Sequence, residues 1–204
     1  MVVAERGLDC ACINDPTYPP QSAIAQSPSH QVPFLVTGET TVFGSPLIVD
    51  HLMGLPAGPM AAANPPFADR ACRPDHALRD AQVSMAAHTL LSALVLRTYL
   101  IWTRAEHQPG APLPIDLAAR ELARAESLLD WLDGEATPDG FIPGVFSVQD
   151  AWLIATVEWT DARLPIGWRN RPRLDAIQRR FADRPSVIAT RPKPWQPGGD
   201  LLPQ

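Results

Sequence analysis

Cysteine is scarce in this chain: Cys10, Cys12 and Cys72 are the three among 204 residues. An odd and sparse set excludes a disulfide framework and fits a reducing, cytoplasmic setting. Charge is also modest, at 19% of residues, with 17 Lys and Arg against 22 Asp and Glu. A formal net charge of −5 leaves no basic footprint, so nucleic acid is not expected as a partner. No uninterrupted apolar run approaches the length of a membrane span, and no charged-then-apolar pattern opens the sequence. Neither a membrane nor a leader is therefore expected. His30, His51, His76, His88 and His107 lack the spacing of metal ligands, so no metal is expected.

Proline, in contrast, is abundant. Its 23 residues gather in the stretches 17–33, 55–66 and 191–203. They punctuate the chain, because 46% of its residues are hydrophobic and its length suffices for one large core or two small ones.

Residues 1–5 read as the end of a helix stopped by Gly7. Leu8 to Ile13 alternates, with Leu8, Cys10 and Cys12 on one face, and reads as a short strand; buried packing is the expected role of Cys10 and Cys12. A polar loop is expected over 14–29. Phe34 to Thr37 and Thr40 to Phe43 read as two strands joined by Gly38-Glu39. Ser45 then caps a helix with Pro46 at its first position, and Leu47, Ile48, His51 and Leu52 share one of its faces. After a break over 54–66 the pattern becomes helical. Long amphipathic helices are expected over 75–106 and 115–132, the latter with Asp116 and Arg120 paired four residues apart. Residues 148–157 form a helix apolar nearly all round, hence central. Residues 172–181 form a basic surface helix, and Arg184-Pro185-Ser186 opens a short last one. The order is an α/β unit over 1–55, a linker over 56–66 and an all-α unit over 67–204.

Three stretches bear on chemistry or on its support. Ser147-Val148-Gln149-Asp150 matches a capping box, in which the serine and the acid satisfy two otherwise orphaned N–H groups. Its role is structural. Val32-Pro33 places a proline just before a strand, a position that fits a sheet edge or a cis turn; a cis turn would leave the Val32 main chain free to pair with an extended peptide. Ser45 at a helix start offers a hydroxyl and free N–H groups to a carboxylate. Each also has a plain structural reading, a turn proline and a helix cap. Trp102, Trp152, Trp159 and Tyr99 lie at helical spacings that suit either an apolar pocket or core packing.

Taken in this order and ahead of a helical bundle, these residues resemble the glutathione transferase superfamily from Met1 to about Pro192. The resemblance rests on Val32-Pro33, the hairpin over 34–43, Gly44-Ser45, the Ser147–Asp150 box and Arg184-Pro185-Ser186. It implies a thioredoxin-like unit with a cis bond before Pro33, followed by an all-helical unit. It further implies that Val32 pairs its main chain with the cysteinyl part of glutathione, that Ser45 takes the γ-glutamyl carboxylate, and that Gln31 reaches the glycyl end. The implied activity is transfer of the glutathione thiolate to a small hydrophobic electrophile by a homodimer.

Two departures accompany the resemblance. Gly44 stands where the family pattern has an acid. The family's first strand, with the loop that bears its thiol-activating Ser, Tyr or Cys, has no counterpart, so the catalytic residue is unassigned. Either an N-terminally shortened transferase or a non-catalytic ligand-binding relative is consistent with that.

Overall fold

The computed structural model describes residues 1–13, 21–38, 40–58, 65–103 and 115–193. The chain divides into two compact units, centred on residues 2–62 and 63–197. Each is described by itself.

In the smaller unit, α1 (Val2–Glu5) ends as its sequence dictates. Gly7 adopts φ 58°, and the N–H groups of Gly7 and Leu8 donate back to the carbonyls of Ala4 (3.2 Å) and Val3 (3.0 Å). A left-handed residue lets both last-turn carbonyls find partners, and glycine takes that conformation at least cost. Leu8 to Ile13 is not a strand, contrary to the alternation of its side chains. Among the described residues, no backbone hydrogen bond joins residues 9–13 to another strand. Alternation can prepare a segment for a sheet, but only a neighbouring strand makes it one. Within the expected polar loop a short helix, α2 (Gln21–Gln26), is anchored by the fully buried Ala23.

The two expected strands, β1 (Phe34–Thr37) and β2 (Thr40–Phe43), pair antiparallel with Phe34 opposite Phe43 and Thr37 opposite Thr40. Gly38, at φ 56°, turns the corner between them. Helix α3 (Ser45–Gly54) packs on both strands and on α1, burying Ile48, Leu52 and Met53. Leu47, expected on the same inward face, is instead 62% exposed.

The larger unit is a helical bundle. A 3₁₀ turn (Pro74–His76) leads into α4 (Ala77–Trp102), which packs on α5 (Leu117–Glu135) and α6 (Val148–Arg163). The short helices α7 (Pro172–Phe181) and α8 (Pro185–Thr190) close the bundle. With its preceding turn, α4 is long and apolar enough to cross a membrane by length and composition alone, a test that a core helix also passes. Its Val83, Ala87, Leu90, Ala93 and Leu94 are nonetheless buried in the bundle. Asp116 does not pair with Arg120; it caps α5, its carboxylate accepting from the Ala119 N–H at 2.8 Å. Arg120 turns to Glu121, whose carboxylate it meets at 3.0 Å.

The expected central helix is α6, and its capping box is complete. The Ser147 hydroxyl accepts from the Asp150 N–H (3.1 Å) while the Asp150 carboxylate accepts from the Ser147 N–H (2.8 Å) and hydroxyl (2.5 Å). The second carboxylate oxygen accepts from the Phe141 N–H at 3.0 Å, so the box also fastens the preceding loop. A shorter side chain than the usual glutamate fits because the loop comes to it: Gly140 adopts φ 122°, a conformation open to glycine, directly against the carboxylate. Beyond α6, Asp133 near the end of α5 caps α7 from a distance, accepting from the Arg173 N–H at 2.9 Å and the Leu174 N–H at 3.1 Å.

Candidate functional site

The β1–β2 register determines where the sequence-predicted residues lie. Phe34 is opposite Phe43, so the chain before β1 and the chain after β2 leave the hairpin at the same end. That end bears Gln31-Val32-Pro33 on one side and Gly44-Ser45 on the other. The Val32-Pro33 bond is cis, and Gln31 and Val32 are exposed, Val32 by 57%. His30, just before them, has φ 53°, a left-handed conformation unusual for a residue with a side chain.

The start of α3 differs from the expectation in one respect. Its N-cap is Gly44, not Ser45; Gly44 adopts φ 85° and no side chain caps the helix. The Gly44 carbonyl accepts the first intrahelical bond, from the Ile48 N–H at 3.1 Å. A left-handed cap position favours glycine, and it moves Ser45 into the first turn, where its hydroxyl no longer reaches back to the helix N–H groups. The chemical capacity of this end is unchanged. Pro46 has no N–H, and the amides of Ser45 and Leu47 remain as first-turn donors at the positive end of the helix dipole. Such an end suits a carboxylate.

Of these residues Val32 and Pro33 also border the cleft that opens in the smaller unit, a cavity of about 680 Å³. One wall is Leu8 to Ile13, the other Val32 to Thr37, and the α3 residues Ile48, His51 and Leu52 form the floor. Cys10 and Cys12 both face this cleft, and neither is a fully packed core residue: Cys12 is exposed and Cys10 half-buried. The Cys10 thiol is pushed up from its ordinary value, first by burial and then by the neighbouring Cys12 and Asp9. Ionisation of this thiol is thus disfavoured, which makes it a poor nucleophile and a poor activator of another thiol. His51 at the cleft was visible in the sequence only as one member of a helix face. The i, i+4 spacing of Ile48 and Leu52 was the signal that this face looks onto something apolar. Among the described residues no cluster of three or more metal-ligating side chains occurs.

In the larger unit, Trp152 meets His88 edge-on with ring centroids 5.3 Å apart, and Tyr99 meets Trp102 at 6.3 Å. Trp102, Trp152 and Trp159 are half-buried and Tyr99 is exposed. Burial without a partner at Nδ1 lowers the His88 pKa and favours its neutral form.

A two-stranded sheet with a cis-proline at its edge and a helix opening beside it, followed by an all-helical bundle, is the arrangement of the glutathione transferase fold. A solved glutathione S-transferase of Methylobacterium radiotolerans, in complex with glutathione sulfonate, superposes with a TM-score of 0.71. The match covers 95% of this chain and 88% of that one at 20% sequence identity, so what the two share is the fold. No family model and no curated protein matches the sequence.

Proposed function

We propose that this is a glutathione transferase-like protein, which holds glutathione on residues 1–55 and offers its thiol to a small hydrophobic electrophile. The observation behind this reading is the convergence of Gln31-Val32-Pro33 and Gly44-Ser45 at one end of the hairpin. There an extended tripeptide can meet main chain at one point and helix N–H groups at another. In this reading the Val32 main chain pairs with the cysteinyl residue and Ser45, with the first turn of α3, binds the γ-glutamyl carboxylate. Gln31 takes the glycyl end. Gly44 gives the ligand amine no carboxylate partner. Residues 56–66 act as the linker and 67–204 as the helical unit; the working form is a cytoplasmic homodimer that uses no metal.

Ser45→Ala tests the site. Loss of a hydrogen bond to a charged group should weaken glutathione binding roughly tenfold in a calorimetric titration. Because the Ser45 hydroxyl makes no cap, the melting temperature should stay near the wild-type value. An unchanged glutathione affinity would remove Ser45 from the site.

A second reading, a glutathione-binding protein without chemistry, is favoured by the cysteine at the cleft, Cys10, whose thiol burial pushes up and so keeps protonated. A glutathione thiol near its ordinary pKa of about 8.5 is only a few per cent ionised at neutral pH. Positioning alone supplies part of the rate, so the 204-residue chain should turn over a chloronitrobenzene near the uncatalysed rate. Robust turnover would decide for the enzyme and against this second reading.

A further inference from the structure

The larger unit has a cavity of its own, a notch of about 450 Å³ between the segment 66–74 and the turn 142–145. That size lies at the small end of the range of small-molecule pockets. Its lining is mostly apolar, with Phe67 and Ile142 buried and Pro66, Pro74 and Val145 nearer solvent. Both walls are fixed. The Phe146 N–H donates to the Pro66 carbonyl at 2.8 Å and the Ala68 N–H to the Phe146 carbonyl at 2.9 Å, so main chain joins the two segments. Gly144 turns the second wall at φ 83°, a left-handed conformation that glycine takes at least cost. A ligand entering such a notch has no loop to order first.

Two guanidinium groups line the notch with hydrogen-bonding capacity to spare. Arg73 gives its Nε and Nη2 to Asp80, which fixes the plane of the group, and among the described residues its Nη1 has no acceptor. Its side chain remains 30% exposed. Arg70 makes no hydrogen bond among the described residues; it stands 3.6 Å from Asp69, and both side chains are open to solvent. An exposed pair of that kind contributes little and is readily exchanged for another partner. The lining therefore carries two cations against one carboxylate, Asp69. Asp80, whose side chain is 1% exposed, is not part of it.

These features select an organic anion with an apolar body. Inorganic phosphate would use the guanidinium groups but leave the apolar wall in water. A neutral hydrocarbon would cover the wall and gain nothing from the cations. A carboxylate on a flat apolar body does both, because guanidinium groups donate to carboxylate oxygens through charge-assisted bonds. We infer that this notch is a binding site for a small aromatic carboxylate. The ring covers Phe67, Ile142 and Val145, and the carboxylate accepts from Arg73 Nη1 and from Arg70, which leaves Asp69 to reach it. Every lining residue belongs to the larger unit, so the inference does not depend on what binds beside Ser45.

The test uses the full 204-residue chain, with 2-naphthoate as the probe and 2-naphthamide as its uncharged counterpart. 2-Naphthoate should bind saturably and shift the methyl NMR signals of Ile142 and Val145. The amide keeps the rings without the charge and should bind about tenfold more weakly, as expected for loss of charge-assisted bonds. Arg70→Ala changes an exposed side chain; it should weaken 2-naphthoate to a similar degree and leave the amide where it was. Val145→Trp fills the notch and should abolish binding of both. Equal affinity for acid and amide, or 2-naphthoate binding that leaves the Ile142 and Val145 signals in place, would mean a merely greasy surface and would overturn the proposal. Undiminished binding of 2-naphthoate to Arg70→Ala would do the same. The first two results are read on the wild-type chain and stand even where Val145→Trp fails to fold.

Discussion

Replacing Asp150 with asparagine is expected to lower the stability of the helical unit by about 2–4 kcal/mol, the largest effect of a single isosteric change in this protein. The Asp150 carboxylate has no solvent exposure and accepts three hydrogen bonds from the Ser147 N–H and hydroxyl and the Phe141 N–H. An amide can accept at one oxygen only, and its NH₂ group would face a donor. The pH dependence provides the signature. Burial raises the Asp150 carboxyl to about 6, against the opposing pull of its bonds to Ser147 and Phe141 and of the Arg180 charge. A folded-state value above the unfolded one means that the protonated form is favoured by folding. This stabilisation is fully present below about pH 4 and is lost as the pH rises through about 6, by roughly 3 kcal/mol. Urea midpoints measured from pH 4 to pH 7 should show that slope in the wild-type chain and not in Asp150→Asn. A parallel slope in both would assign the titration elsewhere.

Asp80→Ala is expected to cost about 2–4 kcal/mol, somewhat below the loss seen when one member of a fully buried pair is removed, because Arg73 keeps partial access to water. Asp80 lies near the start of α4 with its side chain 1% exposed. Arg73 clasps it with two side-chain bonds of 2.7 and 2.9 Å and a backbone bond of 2.8 Å, and Arg79 approaches to 3.6 Å. The buried Gln149 of α6 donates to the Asp80 carbonyl at 3.1 Å and to the Ala71 carbonyl at 2.8 Å, so the cluster joins the entry loop, α4 and α6. Burial raises this carboxyl, but the bonds and charge of Arg73, helped by Arg79, outweigh burial and leave it below the ordinary value. The sign is opposite to that of Asp150: the contribution is present above about pH 4 and is lost as the pH falls below it. The two carboxylates together therefore contribute most near pH 4. Asp80→Ala should remove the acid limb of the stability profile, as read by the midpoint of urea unfolding, and leave the limb between pH 4 and pH 6 in place.

The parts of this fold that depend on neighbours in sequence were legible. Phe34–Phe43 alternates about a glycine turn, the spacing of Ser147 and Asp150 defines its own box, and Pro172 and Pro185 mark two helix starts. The parts that depend on distant partners were not. Leu8–Ile13 has the pattern of a strand, yet strand formation requires a second backbone beside it. Helix α2 has six residues, too few for a periodic signal, and is maintained by packing of Ala23. For the candidate site, the residues at the hairpin end were visible, but the cap at Gly44 was displaced by one because its left-handed φ cannot be told from a serine-proline pair. The cleft was invisible, since it lies between two segments that pattern alone had assigned as strands. Asp80, Arg73 and Gln149 lie too far apart in sequence for any pattern to join them, and only folding brings them together.

The start and end of the larger unit are fastened to one another. Arg184 reaches back across 119 residues to the Pro65 carbonyl at 2.7 Å, and its guanidinium lies 4.6 Å from the centre of the Phe146 ring. Phe146 in turn exchanges backbone bonds with Pro66 and Ala68 and contacts Phe181. On a ribosome adding about 5–20 residues per second, Pro65 precedes Arg184 by on the order of ten seconds. During that interval α4, α5 and α6 can associate, and Phe146 and Gln149 can hold the segment leading into them, but its Pro65 end still lacks Arg184. The bundle is therefore completed late in synthesis, and a ribosome that stalls before α8 releases a nascent chain whose Pro65–Ala68 seam is open to chaperone capture.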